Sequence, residues 1–155
     1  MSTGLLMRPA DPADLPQVLA LYGPQGLGDD QVLSPQAAAD ILQQFAHYPN
    51  YRLWVAADAG DTRRVRGSYA LLVMHNLAHM GTPSAIVEDV VVDPVLRGRG
   101  IGRLMMTHAM QQAREAGCYK LALSSNRRRE AAHAFYESLG FERHGFSFVI
   151  DTPTP

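Results

Sequence analysis

The stretch from Ile86 to Ala116, IVEDVVVDPVLRGRGIGRLMMTHAMQQAREA, decides the fold. Its first part, up to Val92, is rich in β-branched residues and predicts a strand that ends at the following Asp-Pro pair. From Gly100 onward the apolar residues recur at helical spacing, which predicts a helix. Gly117 stands where a helix C-terminal cap belongs. The stretch therefore predicts a strand, a loop and a long helix in succession.

The loop between this strand and this helix, Arg97-Gly98-Arg99-Gly100-Ile101-Gly102, is rich in glycine. Glycine lets the backbone approach a ligand closely, and a helix N-terminus presents unpaired N–H groups with a partial positive charge. Together they predict an anion site that suits a pyrophosphate. The alternating glycines differ from the G-x-G-x-x-G of dinucleotide-binding proteins, and Arg103-Leu104 replaces the Lys-Ser/Thr of nucleotide-triphosphate loops.

Outward from this stretch, the pattern predicts two helices before it and a strand and a helix after it. The first helix opens at Asp11-Pro12 and ends at Gly23, and the second runs from Ser34-Pro35 to about His47. The remaining expected elements are strands at 53–57, 66–75, 119–123, 141 and 146–150, and a helix at 129–139. We therefore expect an α/β (α+β) fold with a mixed, mostly antiparallel sheet flanked by helices.

Length and composition suit one domain. We expect residues 1–150 to form it and the tail, residues 151–155, to be frayed. The formal net charge of −1 argues against nucleic-acid binding, and no apolar run approaches the roughly 18 residues of a membrane span. Cys118 is the single cysteine, so no intrachain disulfide can form, which favours a reducing compartment and predicts a cytoplasmic location.

Two motifs give the chain a resemblance to the GCN5-related N-acetyltransferases. Arg97-x-x-Gly100-x-Gly102 matches the R/Q-x-x-G-x-G/A signature of that family, and the segment 132–141, AHAFYESLGF, matches its A-x-x-F-Y-x-x-x-G-F pattern. Residues 88–92 and 117–120 are similar to glucosamine-6-phosphate N-acetyltransferases, whereas residues 124–136 resemble aminoalkylphosphonate N-acetyltransferases. The resemblance implies a single N-acetyltransferase domain of the GNAT fold.

The resemblance also implies acetyl-CoA as the co-substrate and assigns residues to it. The loop residues Arg97, Gly98, Arg99, Gly100, Ile101 and Gly102 would bind its pyrophosphate, and the backbone of Val90, Val91 and Val92 its acetyl and pantetheine part. By the same resemblance, Tyr136 occupies the position of the general acid. A phenol of pKa about 10 can protonate the leaving thiolate. Asn126 is a further candidate for contact with the pantetheine, although the common form of the motif has its asparagine at position 129.

The attacking amine must lose a proton, which a carboxylate can take directly or through a water molecule. Glu88 is the first candidate for this base, because a charge in mid-strand is rarely buried without a partner or a role. Alternation along the strand predicts that Glu88 shares a face with Ile86, Val90 and Val92, and that Asp89 lies on the opposite face. Asp89 is the second candidate.

The sequence leaves the acceptor open. We expect a small-molecule primary amine, acetylated by direct attack in a ternary complex; a protein or peptide acceptor and a non-catalytic acyl-CoA sensor are the alternatives. Metal binding by His75, His79 and His133 is disfavoured by their spacing, so no metal is expected. The arginines at 127–129 suit either an anion or solvent, and the sequence does not decide between a monomer and a homodimer.

Overall fold

The computed structural model describes residues 4–153. The chain divides into two compact units, one up to Leu123 and one from Ser124 onward. The last two residues of the predicted frayed tail lie outside the described part. In that part, no helix is long and apolar enough to cross a membrane.

The first unit contains a five-stranded sheet in which the strands lie in chain order. The strands are β1 (Leu5–Pro9), β2 (Tyr51–Asp58), β3 (Val65–Met74), β4 (Ser84–Val92) and β5 (Leu121–Leu123). The first four pair antiparallel, and β5 pairs parallel to β4. The predicted mixed, mostly antiparallel sheet is confirmed. The sequence analysis missed β1, whose five residues include an arginine and end in a proline, so that no alternating apolar pattern marks it.

In the described part of the first unit there are three α-helices: α1 (Leu15–Leu21), α2 (Pro35–Phe45) and α3 (Ile101–Glu115). Each begins close to the position that the sequence predicts. The Ser34 side chain accepts a hydrogen bond from the Ala37 N–H, which caps α2. Gly117, with a φ of 76°, ends α3, and the Cys118 N–H donates to the Ala113 carbonyl.

The helices cover both faces of this sheet. On one face, Leu53 and Ala70 join a buried cluster with Leu15, Val18 and Leu19 of α1. On the other, a Cβ added at Gly67 of β3 would lie 2.7 Å from the sulfur of Met105, so α3 packs directly on the strand there. Full burial of each large apolar side chain contributes about 1.5–3 kcal/mol. The core therefore fixes α3, and the loop that precedes it, against β3 and β4.

The second unit contains α4 (Glu130–Ser138), which ends before Gly140 at a φ of 94°. The predicted closing strands at Phe141 and at 146–150 are wrong, because no strand is present after α4 in the described residues. Phe146 and Phe148 are each 93% exposed. An alternating apolar pattern favours extended backbone, but a strand also needs a hydrogen-bonded neighbour, which sequence alone does not supply.

Candidate active site

A β-bulge interrupts β4 at the predicted general base. Glu88 pairs with Ala70 and Val91 pairs with Ser68, so that two residues of β4, Asp89 and Val90, stand opposite Tyr69 of β3. Asp89 has a φ of 54°, in the left-handed region. An extra residue of this kind bends the strand and redirects its side chains.

The bulge corrects the predicted facing of the Glu88 side chain. Directly paired residues of antiparallel strands share a face, so Glu88 lies on the face of Val91 and not on that of Val92, which pairs with Gly67. Val90 lies within the bulge. Strict alternation predicts that Glu88 and Val92 share a face, because it does not allow for an extra residue. Of the predicted facing, the shared face of Glu88 and Ile86 is confirmed.

From Glu88 to Val92, one edge of β4 has no partner strand among the described residues. The pairing of β4 with β5 stops at Val87, which is aligned with Leu123. Residues 88–92 therefore have no sheet partner on that side within the described chain, while their other edge remains paired with β3. Val91 is buried and Val90 and Val92 are half-buried. The free edge leaves outward N–H and C=O groups available to an extended ligand.

The strand leads into the predicted anion loop. The Asp93 carboxylate accepts a hydrogen bond from the Val95 N–H at 3.1 Å and holds a tight turn. Gly98 and Gly100 have φ values of 77° and 85°, which glycine adopts without strain. A Cβ added at either would meet no atom within 4 Å, so the glycines serve the backbone conformation and leave open space beside it.

The N-terminus of α3 is buried on one side and exposed on the other. Ile101 is 3% exposed and points into the core, whereas residues 97–100 are exposed. Within the described residues, the N–H groups of Gly98 and Gly100 donate to no protein atom. With the first N–H groups of α3 they form a cluster of donors at the positive end of a 15-residue helix. These residues fit a pyrophosphate.

The two arginines of the loop differ. The Arg97 guanidinium donates a hydrogen bond to the Gln25 carbonyl, in the connection between α1 and α2. Arg99 is exposed and has no ion-pair partner among the described residues. Arg97 therefore joins the anion loop to the α1–α2 connection, a contact that the sequence analysis missed.

The electrostatics around the bulge are negative. Partial burial and the neighbouring Asp89 raise the pKa of Glu88. Burial, and then the charge of Asp29, raise the pKa of Asp89. A raised carboxylate pKa suits a general base, because such a group takes a proton more readily at neutral pH.

The charge of Asp89 acts on two tyrosine phenols. Burial first, and Asp89 second, raise the pKa of Tyr22 and of Tyr51, so both phenols stay protonated. The sequence analysis does not single out Tyr22, Asp29 or Tyr51 as site residues. No motif marks them, because the chain brings them within range of the charge of Asp89 only after folding.

Tyr136 lies in the second unit, on α4. It is 9% exposed, and burial raises the pKa of its phenol against the opposing effect of Arg129. Its ring contacts those of Phe135 and Phe141, with centroids 5.3 and 5.8 Å away. A buried, protonated phenol of this kind can donate a proton.

Asn126 holds the turn before α4. Its side-chain oxygen accepts from the Arg128 N–H at 3.0 Å, and its carbonyl accepts from the Arg129 N–H. His133 Nε2 lies 2.8 Å from the same carbonyl. The Asn126 side chain therefore has a structural partner already, and Arg127, Arg128 and Arg129 are exposed. No group of three or more metal-ligating side chains is present among residues 4–153.

Comparison with known proteins identifies the family. The family model described as Acetyltransferase (GNAT) family matches residues 16–141, which include β4, the anion loop and α4. The chain belongs to the GNAT family of acetyltransferases. The resemblance deduced from the two motifs is confirmed, and this GNAT protein is an acyltransferase.

Relatives named for two different small-molecule substrates match this chain. This GNAT protein is 39% identical over 114 residues to the glucosamine 6-phosphate N-acetyltransferase of Trypanosoma brucei brucei, covering 74% of this chain and 67% of the relative. It is 32% identical over 121 residues to the aminoalkylphosphonate N-acetyltransferase of Salmonella typhimurium strain LT2, covering 78% and 73%. Both resemblances that the sequence analysis names are thus found over most of the chain.

A solved structure supports the fold. A putative acetyltransferase from Agrobacterium tumefaciens strain C58 superposes with a TM-score of 0.85 at 35% identity, covering 95% of this chain and 99% of that one. The open, mixed sheet with its flanking helices is therefore the architecture of this family.

Proposed function

We propose that this GNAT protein transfers the acetyl group of acetyl-CoA to a primary amine of a small molecule, by direct attack in a ternary complex. The observation that carries the proposal is the free edge of β4 at 88–92, which leads into the exposed glycines of the anion loop. Members of the family use acetyl-CoA as their co-substrate. One strand and one loop thus offer adjoining sites for an extended thiol chain and its pyrophosphate.

The anion loop would hold the pyrophosphate through backbone N–H groups. Gly98, Gly100, Ile101 and Gly102 supply donors at the start of α3, and Arg99 supplies a free guanidinium. Each hydrogen bond to a charged group contributes about 1.5–3 kcal/mol. Arg97 would add a contact if it left the Gln25 carbonyl.

The free edge would hold the pantetheine and the thioester. The backbone of Val90, Val91 and Val92 can pair with the amide groups of an extended chain as a further strand would. An N–H of the same segment can donate to the oxygen on which negative charge develops during attack. The side chain of Val91 keeps this segment fixed to the core, since it is 3% exposed.

Glu88 would take the proton of the attacking amine. Its raised pKa and its position directly before the bulge support that role. Asp89, whose pKa is also raised, is the second candidate, and either carboxylate can act through a water molecule. Tyr136 would donate a proton to the departing thiolate.

The relatives support a small-molecule acceptor. Glucosamine 6-phosphate and aminoalkylphosphonates each offer a primary amine on a small molecule. We propose the same kind of acceptor here. Residues 1–150 would then act as one catalytic domain in the cytoplasm.

Gly100 gives a sharp test of the co-substrate site. Asparagine and aspartate have the same size and both tolerate a positive φ, so Gly100→Asn and Gly100→Asp differ in charge alone. We expect calorimetry to show weaker acetyl-CoA binding by Gly100→Asn and none by Gly100→Asp. Equal affinity of these two variants would contradict a pyrophosphate at this loop.

Turnover is tested by thiol release from acetyl-CoA with a panel of amines, amino sugars, aminophosphonates and lysine peptides. We expect release with at least one small amine in the wild-type protein. Acetyl-CoA binding without release in the presence of any amine would support the alternative of an acyl-CoA sensor.

A further inference from the structure

The segment that carries the anion loop is fixed to β3 at both of its ends. The Asp93 N–H donates to the Arg66 carbonyl at 2.8 Å, one residue beyond the pairing of Gly67 with Val92. A Cβ added at Gly67 would lie 3.3 Å from a methyl carbon of Ile101, so this residue packs on the start of α3. Two adjacent residues of β3 therefore contact the chain before and after the exposed part of the loop.

The Arg66 side chain joins β2 to the turn after β4. The register of β3 against β2 shifts here, and Arg66 is the extra residue between Val65 and Gly67. A bulge of this kind redirects side chains. Nε and Nη2 of Arg66 each donate to the Asp58 carboxylate at 2.9 Å, and Nη1 lies 3.5 Å from Oδ2 of Asp93. The two parallel hydrogen bonds to Asp58 fix the plane of the guanidinium, and with it the nitrogen that faces Asp93.

The two carboxylate oxygens of Asp93 have different partners. Oδ2 faces Arg66, whereas Oδ1 accepts a hydrogen bond from the Val95 N–H at 3.1 Å. The Leu96 N–H donates to the Asp93 carbonyl at 2.9 Å and closes the same turn. Because Arg66 holds one oxygen, it orients the other toward Val95. Arg66 thereby sets the direction in which the chain enters the anion loop.

The guanidinium of Arg66 is already engaged. Each of its three nitrogens faces a carboxylate oxygen, and its side chain is 16% exposed, against 62% for Arg64. Arg66 therefore acts on Asp93 and not directly on a bound phosphate. Loss of its charge would leave the Asp93 carboxylate with no ion-pair partner among residues 4–153. A less ordered turn and an unpaired negative charge would both oppose the binding of an anion next to it.

We propose that Arg66 is a positioning residue for the pyrophosphate of acetyl-CoA and that it acts through Asp93. The inference rests on the proposed function, because it concerns the co-substrate side of the same site. Arg66 contacts neither the thioester nor the amine in this assignment. Its loss should therefore change KM for acetyl-CoA and leave kcat largely as it is.

Two acetyl donors separate this role from a general structural one: acetyl-CoA, and S-acetylpantetheine, which has the same thioester without any phosphate. We expect Arg66→Gln to raise KM for acetyl-CoA at least about tenfold, which corresponds to about 1.4 kcal/mol. Both kcat and the kcat/KM for S-acetylpantetheine should stay within about twofold of the wild type. Arg66→Lys should fall between, because an ammonium cannot replace two parallel hydrogen bonds.

A double-mutant cycle tests whether Arg66 acts through Asp93. Asp93→Ala should weaken acetyl-CoA binding in calorimetry by a factor similar to that of Arg66→Gln. In the Asp93→Ala background, Arg66→Gln should have little further effect, because residues that act through one contact are not additive.

Two other arginines provide matched controls. Arg64→Gln removes an equal charge from the residue two positions earlier, whose guanidinium lies 3.9 Å from the Asp58 carboxylate, and should keep the wild-type KM. Arg8→Gln breaks the ion pair with the buried Asp14. It should lower the Tm and leave KM for acetyl-CoA unchanged, which shows that loss of stability alone does not change this KM.

Three outcomes would overturn the inference alone: a wild-type KM in Arg66→Gln, an equal loss with both acetyl donors, or additive effects in the double variant. If melting curves show that Arg66→Gln is unfolded, Arg66→Lys and Asp93→Asn decide by the same comparison. Asp93→Asn keeps an oxygen for Val95 but removes the charge that faces Arg66, so a wild-type KM in both would also overturn it.

Failure of the proposed function has a different signature. Absence of acetyl-CoA binding by the wild-type protein would overturn the proposed function and the inference with it. Binding without thiol release in the presence of any amine would overturn acetyl transfer, and calorimetry of the same variants would still test the role of Arg66.

Discussion

The Tyr69 hydroxyl and Nδ1 of His108 are hydrogen-bonded at 2.7 Å. Tyr69 is fully buried and stands opposite the bulge of β4, and His108 is on α3. The pair therefore ties the helix that follows the anion loop to the segment of β3 that stands opposite the bulge. His108 also packs edge-on against Trp54, at a centroid distance of 4.5 Å.

This pair predicts a pH dependence of stability. Burial lowers the pKa of His108 below its ordinary value of 6.5. Since the folded state disfavours the charged ring, the stabilisation is complete above pH 6.5 and is lost as the pH falls below it. We expect urea denaturation to show a free energy of unfolding that declines between pH 7 and 5, and a weaker decline in His108→Gln. Tyr69→Phe should cost about 1 kcal/mol at pH 8.

Gly26 should be intolerant of any side chain. A Cβ there would lie 1.7 Å from the Leu21 carbonyl oxygen, which forces the α1–α2 connection to move. We expect Gly26→Ala to lower the free energy of unfolding by about 1–3 kcal/mol and to raise KM for the amine more than for acetyl-CoA. Gly23→Ala is the control, because its Cβ would make an ordinary contact of 3.6 Å. Similar kinetics in the two variants would contradict a role for this connection at the acceptor site.

Glu88→Gln should change the pH profile of kcat/KM. The raised pKa of Glu88 places the acidic limb of the wild-type profile above the usual range of a glutamate, and activity falls as the pH drops through it. We expect the variant to lose this limb and to lose about 10²–10⁴-fold in rate at neutral pH. Asp89→Asn should keep the limb; if it abolished the limb and Glu88→Gln did not, Asp89 would be the base.

Tyr136→Phe should lower kcat by about 10²-fold or more, as expected for a lost general acid. It should leave acetyl-CoA affinity unchanged in calorimetry, since the phenol acts on the departing thiolate. Tyr119→Phe, which removes a hydroxyl from an exposed ring, should have wild-type turnover. Wild-type turnover in Tyr136→Phe would contradict the general-acid role, because the thiolate would then be protonated by water.

Much of the fold could be predicted because its signals are local. Ser34-Pro35 and Gly117 mark helix ends through their own side chains and backbone. The loop at 97–102 is recognisable from its glycine motif. The bulge at Asp89 was not predictable, since its extra residue is defined only by pairing with Tyr69. The effects of Asp29 on Asp89 and of Asp89 on Tyr51 were not predictable for the same reason, since these residues are far apart in the sequence and interact only after folding.

The bulge has a consequence for how this enzyme can be redesigned. Side chains of a strand alternate between its two faces, so one inserted residue reverses this alternation for every residue that follows it. Deleting Asp89 would restore a single phase, and would turn either Glu88 away from the α1–α2 connection or Val91 out of the core. The length of β4 is therefore fixed by the buried side chain of Val91 and by the position of Glu88.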